Sequence, residues 1–273
     1  MSRFADLHIH TNFSDSTSSP EEIVAQAKEK NLSCIAITDH DTVDGIQPTM
    51  DIAAENDIEV ISGIELSTFI NGKDVHMLGY LFDFKDMDFI KHLDNVQNSR
   101  IERMKEMIGK LDQLGMKGIK LEEVCDLAKS KAVGRPHLAQ IMIEYGFVRN
   151  IKEAFDKYLA SGCPVFVDKF KQHPYEGIEM IRKIGGVAVL AHPMVTQVDE
   201  LIPSLVEAGL GGIEVYYPNT GKNIIQYYEG IAKKHNIVAT GGSDAHGMAK
   251  RNTYLGHTTV PYEVVEQLRA AKA

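Results

Sequence analysis

Short apolar, β-branched runs recur along this chain, and the residues that interrupt or end them are histidines and carboxylates. Phe4 to Ile9 carries Asp6 and His8 and runs into His10; Cys34 to Ile37 runs into Thr38-Asp39-His40-Asp41; Ile58 to Ile61 runs into Ser62-Gly63-Ile64-Glu65. Val75 to Leu78 contains His76, Val187 to Leu190 runs into Ala191-His192-Pro193, and Ile237 to Thr240 runs into Gly241-Gly242-Ser243-Asp244-Ala245-His246. A buried ionisable group is costly unless it is paired or bound to metal, so a random scatter should avoid the edges of apolar strands. Concentration at those edges points to one shared site, at the strand ends where α/β barrels place their chemistry.

Between the runs lie Pro20 to Lys30, Val43 to Asn56, Pro174 to Lys183, Leu201 to Ala208 and Lys222 to His235, with apolar residues near helical spacing. Strands alternating with helices predict right-handed βαβ units and a parallel sheet. Pro20 with Glu21 and Glu22 suits a helix first turn, and Lys28 and Lys30 suit its last. The rhythm breaks between Asp86 and Phe170, where long charged amphipathic stretches replace strands. The reading is an α/β barrel domain over 1–85 and 166–273, interrupted by a helical insert domain over 86–165.

At 273 residues the chain is long enough for one large domain or a domain with an insert. No apolar run approaches the roughly 20 residues of a membrane helix, and Asp6, His8 and His10 interrupt the N-terminal one, so neither membrane spanning nor export is expected. Cys34, Cys125 and Cys163 lack Cys-x-x-Cys spacing, which suits reduced thiols in a cytoplasm. A net charge of −9 disfavours duplex DNA as a partner, but a nucleotide in a locally positive pocket stays compatible with it.

In the first strand, side chains alternate faces, so His8 and His10 point the same way about 7 Å apart along the backbone. Two imidazoles so placed can grip one ion. A lone His-x-His is as well explained by hydrogen-bonded interior histidines; it is the repetition along the chain that favours a shared metal site.

The ordered set His-x-His, Asp15, Thr-Asp-His-Asp, Gly-x-Glu, a strand histidine, Ala-His-Pro and Ser-Asp-Ala-His resembles the PHP family, the polymerase and histidinol phosphatase superfamily of metal-dependent phosphoesterases. The resemblance covers about residues 3–84 and 171–260. It implies a distorted (β/α)7 TIM-like barrel, the PHP fold, with a trinuclear metal site. By that resemblance His8, His10, Glu65 and Asp244 hold a first metal; Glu65 bridges to a second held by His76 and His192; Asp15, His40 and His246 hold a third. Glu65 and Asp244 then count as catalytic carboxylates. The mixed imidazole and carboxylate set suits three divalent ions of manganese, zinc or iron without choosing among them.

A second, narrower resemblance lies in the insert. Gly134-Arg135-Pro136-His137 is similar to the Gly-Arg-Pro-His motif of the PHP subgroup of nucleoside 3′,5′-bisphosphate phosphatases and 5′-to-3′ exoribonucleases. Arg135 offers a rigid fork of donors for phosphate oxygens, and His137 is a candidate to orient the phosphate or protonate a leaving group. Tyr217 and Asn219, after Ile213-Glu214-Val215, fall where a strand end faces the site and are candidate substrate contacts. Lys250-Arg251, and Lys169 and Lys171 beside His173, are weaker candidates near a cleft, while Asp39 and Asp41 are candidates to fix histidine tautomers.

The function expected is hydrolysis of phosphomonoesters by metal-activated hydroxide. The preferred substrate is the 3′-phosphate of nucleoside 3′,5′-bisphosphates, with short 5′-phosphorylated RNA beside it. Histidinol phosphate is the alternative substrate. A metal- and phosphate-binding regulatory barrel is the non-enzymatic alternative, and the full ligand set argues against it.

Overall fold

The computed structural model describes residues 3–128, 133–168, 172–250 and 253–272; Lys169, Lys171 and Arg251, named above, lie outside them. The chain forms two compact units, Met1–Ile90 with Lys171–Ala273, and Lys91–Phe170. That division falls at 90/91 and 170/171, where the sequence rhythm puts it at 85/86 and 165/166.

In chain order the elements are β1 (Phe4–Ile9), α1 (Pro20–Glu29), β2 (Cys34–Ile37), α2 (Ile46–Ala53), β3 (Glu59–Ile70), β4 (Lys73–Tyr80) and α3 (Met87–Gln113), which runs into the second unit. There follow α4 (Leu121–Ala128), α5 (Arg135–Glu144) and α6 (Ile151–Ala154), continued by a π-helical turn over Phe155–Leu159. The first unit resumes with α7 (Pro174–Lys183), β5 (Val187–Leu190), α8 (Pro193–Thr196), α9 (Ile202–Glu207), β6 (Gly212–Tyr216), α10 (Lys222–His235), β7 (Val238–Gly241), β8 (Val260–Pro261) and α11 (Glu263–Ala271).

The strands form one sheet in the order β7-β6-β5-β4-β3-β2-β1-β8. A parallel bridge between Ile9 and Ala245, in which His10 N–H donates to the Ala245 carbonyl at 3.0 Å, brings β1 against the segment after β7. The sheet is thereby a nearly closed α/β barrel, the fold class that the sequence predicts. One expectation is corrected: the sheet is not parallel throughout. β4 runs antiparallel to both β3 and β5, because Asn71 and Gly72, both at positive φ, make a two-residue hairpin that leaves no room for a crossover. β3 also continues past the expected end to Ile70, so Glu65 lies within a strand rather than after one. The reversal of β4 still brings His76 beside the other donors, since His76 pairs with Ser67, two residues along β3 from Glu65.

Ala5, Leu7, Cys34, Ala36, Ile61, Leu78, Tyr80, Val187, Val189, Ala191 and Val238 pack together with Val264, Val265 and Leu268 of α11. A single cluster drawing on β1 to β5 and β7 is the inner face of the barrel. β2 is buried along its whole length, as expected of a strand covered on both faces. In β1, Asp6 pairs with Ile35 and Ile9 with Ile37, so Leu7 and His8 together oppose Ala36. That bulge reverses the alternation: Ala5 lies on the inner face, and so do His8 and His10. A second irregularity lies in β6 between Glu214 and Tyr216.

α1 begins as its sequence predicts. Ser19 caps it in a reciprocal capping box with Glu22, Pro20 occupies the first turn, and Ile23, Val24 and Ala27 are buried.

The second unit has its own core, built on Met104, Met107, Leu111, Leu138, Met142, Leu159 and Val165. The Met104, Met107 and Ile108 stripe of α3 is packing within it. Among the described residues no helix is long and apolar enough to cross a membrane.

Candidate metal centre

The donors come from within strands (His8, Glu65 and His76) and from the segments that follow strands (His10, Asp15, His40, His192, Asp244 and His246). Three groups of possible ligand atoms are each gathered within 4.8 Å: His8, His10, Glu65 and Asp244; His10, Asp15, His40 and His246; and His40, Glu65 and His76. In the first group His8 Nε2 and His10 Nε2 are 3.1 Å apart and each lies 3.1 Å from Glu65 Oε2. Asp244 Oδ1 stands 3.5 Å from His8 Nε2 and 3.3 Å from His10 Nε2. Asp15 Oδ1 lies 3.5 Å from His10 Nδ1 and 3.3 Å from His246 Nε2, and Asp15 Oδ2 lies 3.8 Å from His40 Nε2.

Glu65 joins the groups. Its Oε2 serves His8, His10 and His40, while its Oε1 is 2.8 Å from His76 Nδ1 and 3.0 Å from His192 Nε2. These groups differ from the expected grouping in three ways: His10 also stands with Asp15, His40 stands with Glu65 and His76 as well as with Asp15 and His246, and His192 is in none of them. His192 reaches the same Glu65 oxygen as His76.

The charges explain each other. Burial disfavours a positive ring at His10, but the carboxylates of Asp244 and Glu65 outweigh it and raise its pKa to about 10. His8 is likewise raised against burial, by Glu214, Glu65 and Asp244. Burial opposes ionisation of Glu65, Asp244 and Asp15 too, yet the surrounding imidazoles hold all three below the usual carboxylate range. His40 moves the other way, to about 4, because burial dominates. Positive charge, as protons or as metal ions, is what this group of buried carboxylates requires.

The residues fit metal ions on two counts. Tetrahedral nitrogen and oxygen ligands about 2.1 Å from an ion lie about 3.4 Å from one another, close to the spacing among His8, His10, Glu65 and Asp244. In addition, the buried ring nitrogens His10 Nδ1, His40 Nδ1 and His192 Nδ1 have no hydrogen-bond partner among the described residues, a costly condition for buried polar atoms that a cation beside His10 Nδ1 would relieve.

Other expected residues fall in several places. Tyr217 is at the centre: its hydroxyl donates to Asp244 Oδ2 at 2.7 Å, and its ring meets that of His192 edge-on with centroids 5.5 Å apart. Lys250 Nζ pairs with the same Asp244 oxygen and lies 3.3 Å from Tyr217 Oη. Asn219 is exposed at φ +60°, a turn conformation that asparagine tolerates. Arg135 and His137 belong to the second unit, where Arg135 Nη1 donates to the Leu159 carbonyl at 3.1 Å and its guanidinium lies 5.5 Å and 5.6 Å from the Phe155 and Phe166 ring centroids. His137 Nδ1 accepts from Gly134 N–H at 3.1 Å, closing the N-terminus of α5.

Asp39 and Asp41 organise loops. Asp39 accepts from Thr11 N–H at 2.7 Å and from the hydroxyls of Thr11 and Ser14, and Asp41 accepts from Ser67 N–H at 2.8 Å. The carboxylate on the far ring nitrogen of His8 is instead Glu214, with Oε1 2.8 Å from His8 Nδ1. Sequence reading passed over it; a lone glutamate inside the apolar run Ile213-Glu214-Val215 was the available signal.

Residues 6–90 match the PHP domain family. The chain is 32% identical over 254 residues to a 5′-3′ exoribonuclease of Haemophilus influenzae, covering 90% of this chain and 91% of that one. It is 28% identical over 260 residues to a 3′,5′-nucleoside bisphosphate phosphatase of Chromobacterium violaceum, covering 93% and 90%. A crystal structure from Bifidobacterium adolescentis, described as a metal-dependent phosphoesterase, superposes with a TM-score of 0.84 at 27% identity, covering 98% of this chain and 96% of that one.

Proposed function

This chain belongs to the PHP family of metal-dependent phosphoesterases, and on that premise we propose that it hydrolyses phosphomonoesters of small nucleotides. The preferred substrate is the 3′-phosphate of nucleoside 3′,5′-bisphosphates, with short 5′-phosphorylated RNA as a second substrate. The observation that carries the chemistry is the convergence of three donor groups on Glu65 and its neighbours. The substrate class is supported by two relatives named for nucleotide and RNA substrates and by the Gly134-Arg135-Pro136-His137 resemblance.

Three divalent ions of manganese, zinc or iron would be held by His8, His10, Asp15, His40, Glu65, His76, His192, Asp244 and His246. When bound, such ions lower the pKa of water and neutralise phosphoryl charge. The protein groups do the rest. Glu65 and Asp244 stay ionised because the imidazoles around them hold their pKa values down. Tyr217 stays a neutral hydroxyl, since burial and Asp244 push its pKa up, so it keeps a proton to donate at the centre. Lys250 adds a cation beside Asp244, suited to drawing an anionic substrate in. Arg135 and His137 enter as phosphate contacts through the resemblance of their motif.

The test is a panel that reads inorganic phosphate released from adenosine 3′,5′-bisphosphate and histidinol phosphate and mononucleotides released from short 5′-phosphorylated RNA, run beside elemental analysis of the purified protein. Preference for the nucleotide substrates is expected. Strong preference for histidinol phosphate would overturn the nucleotide assignment while leaving the phosphoesterase chemistry in place.

A further inference from the structure

Glu214 is not among the nine candidate ligands, yet its carboxylate touches two of them. It lies on β6 and is fully buried. Oε1 is 2.8 Å from His8 Nδ1, and Oε2 accepts the backbone N–H of His192 at 2.9 Å. Both oxygens are thus committed, one to β1 and one to the segment that follows β5.

A carboxylate can only accept, and a neutral imidazole has one N–H and one lone pair. An acceptor on His8 Nδ1 therefore places the hydrogen there and leaves the lone pair on Nε2, the nitrogen that faces His10, Glu65 and Asp244. The second contact matters for a different reason. His192 has φ +27° and ψ +59°, a left-handed conformation that side-chain-bearing residues adopt only when their surroundings impose it. Glu214 Oε2 pins its N–H, while Val195 N–H donates to its carbonyl at 2.9 Å.

We propose that Glu214 is a positioning residue for the metal centre, fixing the His8 tautomer and the His192 backbone with one side chain. This rests on reading the histidine and carboxylate cluster as a metal centre. Glutamine at this position is nearly the same shape but supplies one acceptor where His8 Nδ1–H and His192 N–H need two. Either one contact is lost, or the amide donates to His8 Nδ1 and forces the ring hydrogen onto Nε2.

The experiment compares the wild-type chain with Glu214→Gln, with Glu229→Gln as control, since Glu229 accepts from the Tyr216 hydroxyl at the surface. Metal-free proteins are titrated with zinc against a competing chelator, and nitrogen-15 spectra of the zinc-loaded proteins identify the protonated ring nitrogen of His8. The wild type is expected to show a hydrogen on Nδ1. Glu214→Gln is expected to bind zinc about 10–100-fold more weakly and to lose or shift the Nδ1–H signal, with Glu229→Gln unchanged.

Equal zinc affinity and an unchanged His8 signal in Glu214→Gln would overturn the role of Glu214 while leaving the metal centre standing. A wild-type chain that binds no zinc, manganese or iron would overturn the centre itself and this role with it. Should Glu214→Gln fail to fold, the wild-type spectrum decides alone: His8 without a hydrogen on Nδ1 excludes the proposal.

Discussion

Glu65 is the residue on which the centre depends most, because both of its oxygens are shared among five histidines. Glu65→Gln keeps the shape and removes the charge. It should lower turnover by at least about 10²–10³-fold, the order seen when one electrostatic group is removed from an active site, with a measured drop in bound metal. Asp244→Asn should behave alike, and retained activity in a Glu65→Gln protein depleted of metal would refute the ligand assignment. Arg135→Ala separates substrate handling from metal binding. It should raise KM for a nucleotide phosphate while elemental analysis shows the wild-type metal content. Glu65 and Asp244 were legible in the sequence because each stands out as a charge after an apolar run, and Arg135 was legible through the motif it belongs to. Glu214 carried a like signal inside its own apolar run, but its pairing with His8 was not legible, because the two lie 206 positions apart and no local pattern links them.

At the scale of elements, the bulge in β1 and the reversal of β4 decide which side chains meet. The bulge is held in place by Asp6, whose carboxylate accepts from Ser243 N–H at 2.9 Å and Gly256 N–H at 2.8 Å, tying β1 to the loop that carries Asp244. Gly242 permits that approach, since a Cβ there would run into the backbone nitrogen and Cβ of His8. Gly242→Ala should therefore destabilise the protein by about 1–3 kcal/mol and weaken metal binding together, read by thermal unfolding and zinc titration. Unchanged stability and affinity would show that the β1 approach has slack. The sequence indicated the start of α1 well through Pro20 and the acidic first turn, while the Ser19 cap emerged only in the structure. It read β3 as ending near Glu65, because a polar residue after an apolar run looks like a strand end until the partner strand is known.

For the whole molecule, metal and fold should be linked. An ion that binds the native state alone stabilises it by about 2.7 kcal/mol at a hundredfold excess over its Kd, so a chelator should lower the melting temperature and added metal should restore it. Cys34 supplies an independent report on barrel integrity: it is fully buried, and burial together with Glu59 pushes its thiol pKa up. It should stay unmodified by a thiol reagent at pH 7 to 9 in the native protein and react on unfolding, whereas the half-buried Cys125 and Cys163 react first; mass spectrometry of the labelled chain reads the order. The sequence by itself determined the α/β class and the helical character of the insert, because hydrophobic periodicity acts locally along the chain, and it marked most candidate donors as charges in or beside apolar runs; Asp15 and the grouping of the donors entered only through the resemblance to the family. Only the tertiary structure decided the antiparallel β4, the inward turn of His8 through the bulge, the sharing of Glu65 among the donor groups and the contact of Glu214 with His8. Each of these depends on which strand lies beside which and in what register, and that is fixed by closure of the sheet rather than by any stretch of sequence.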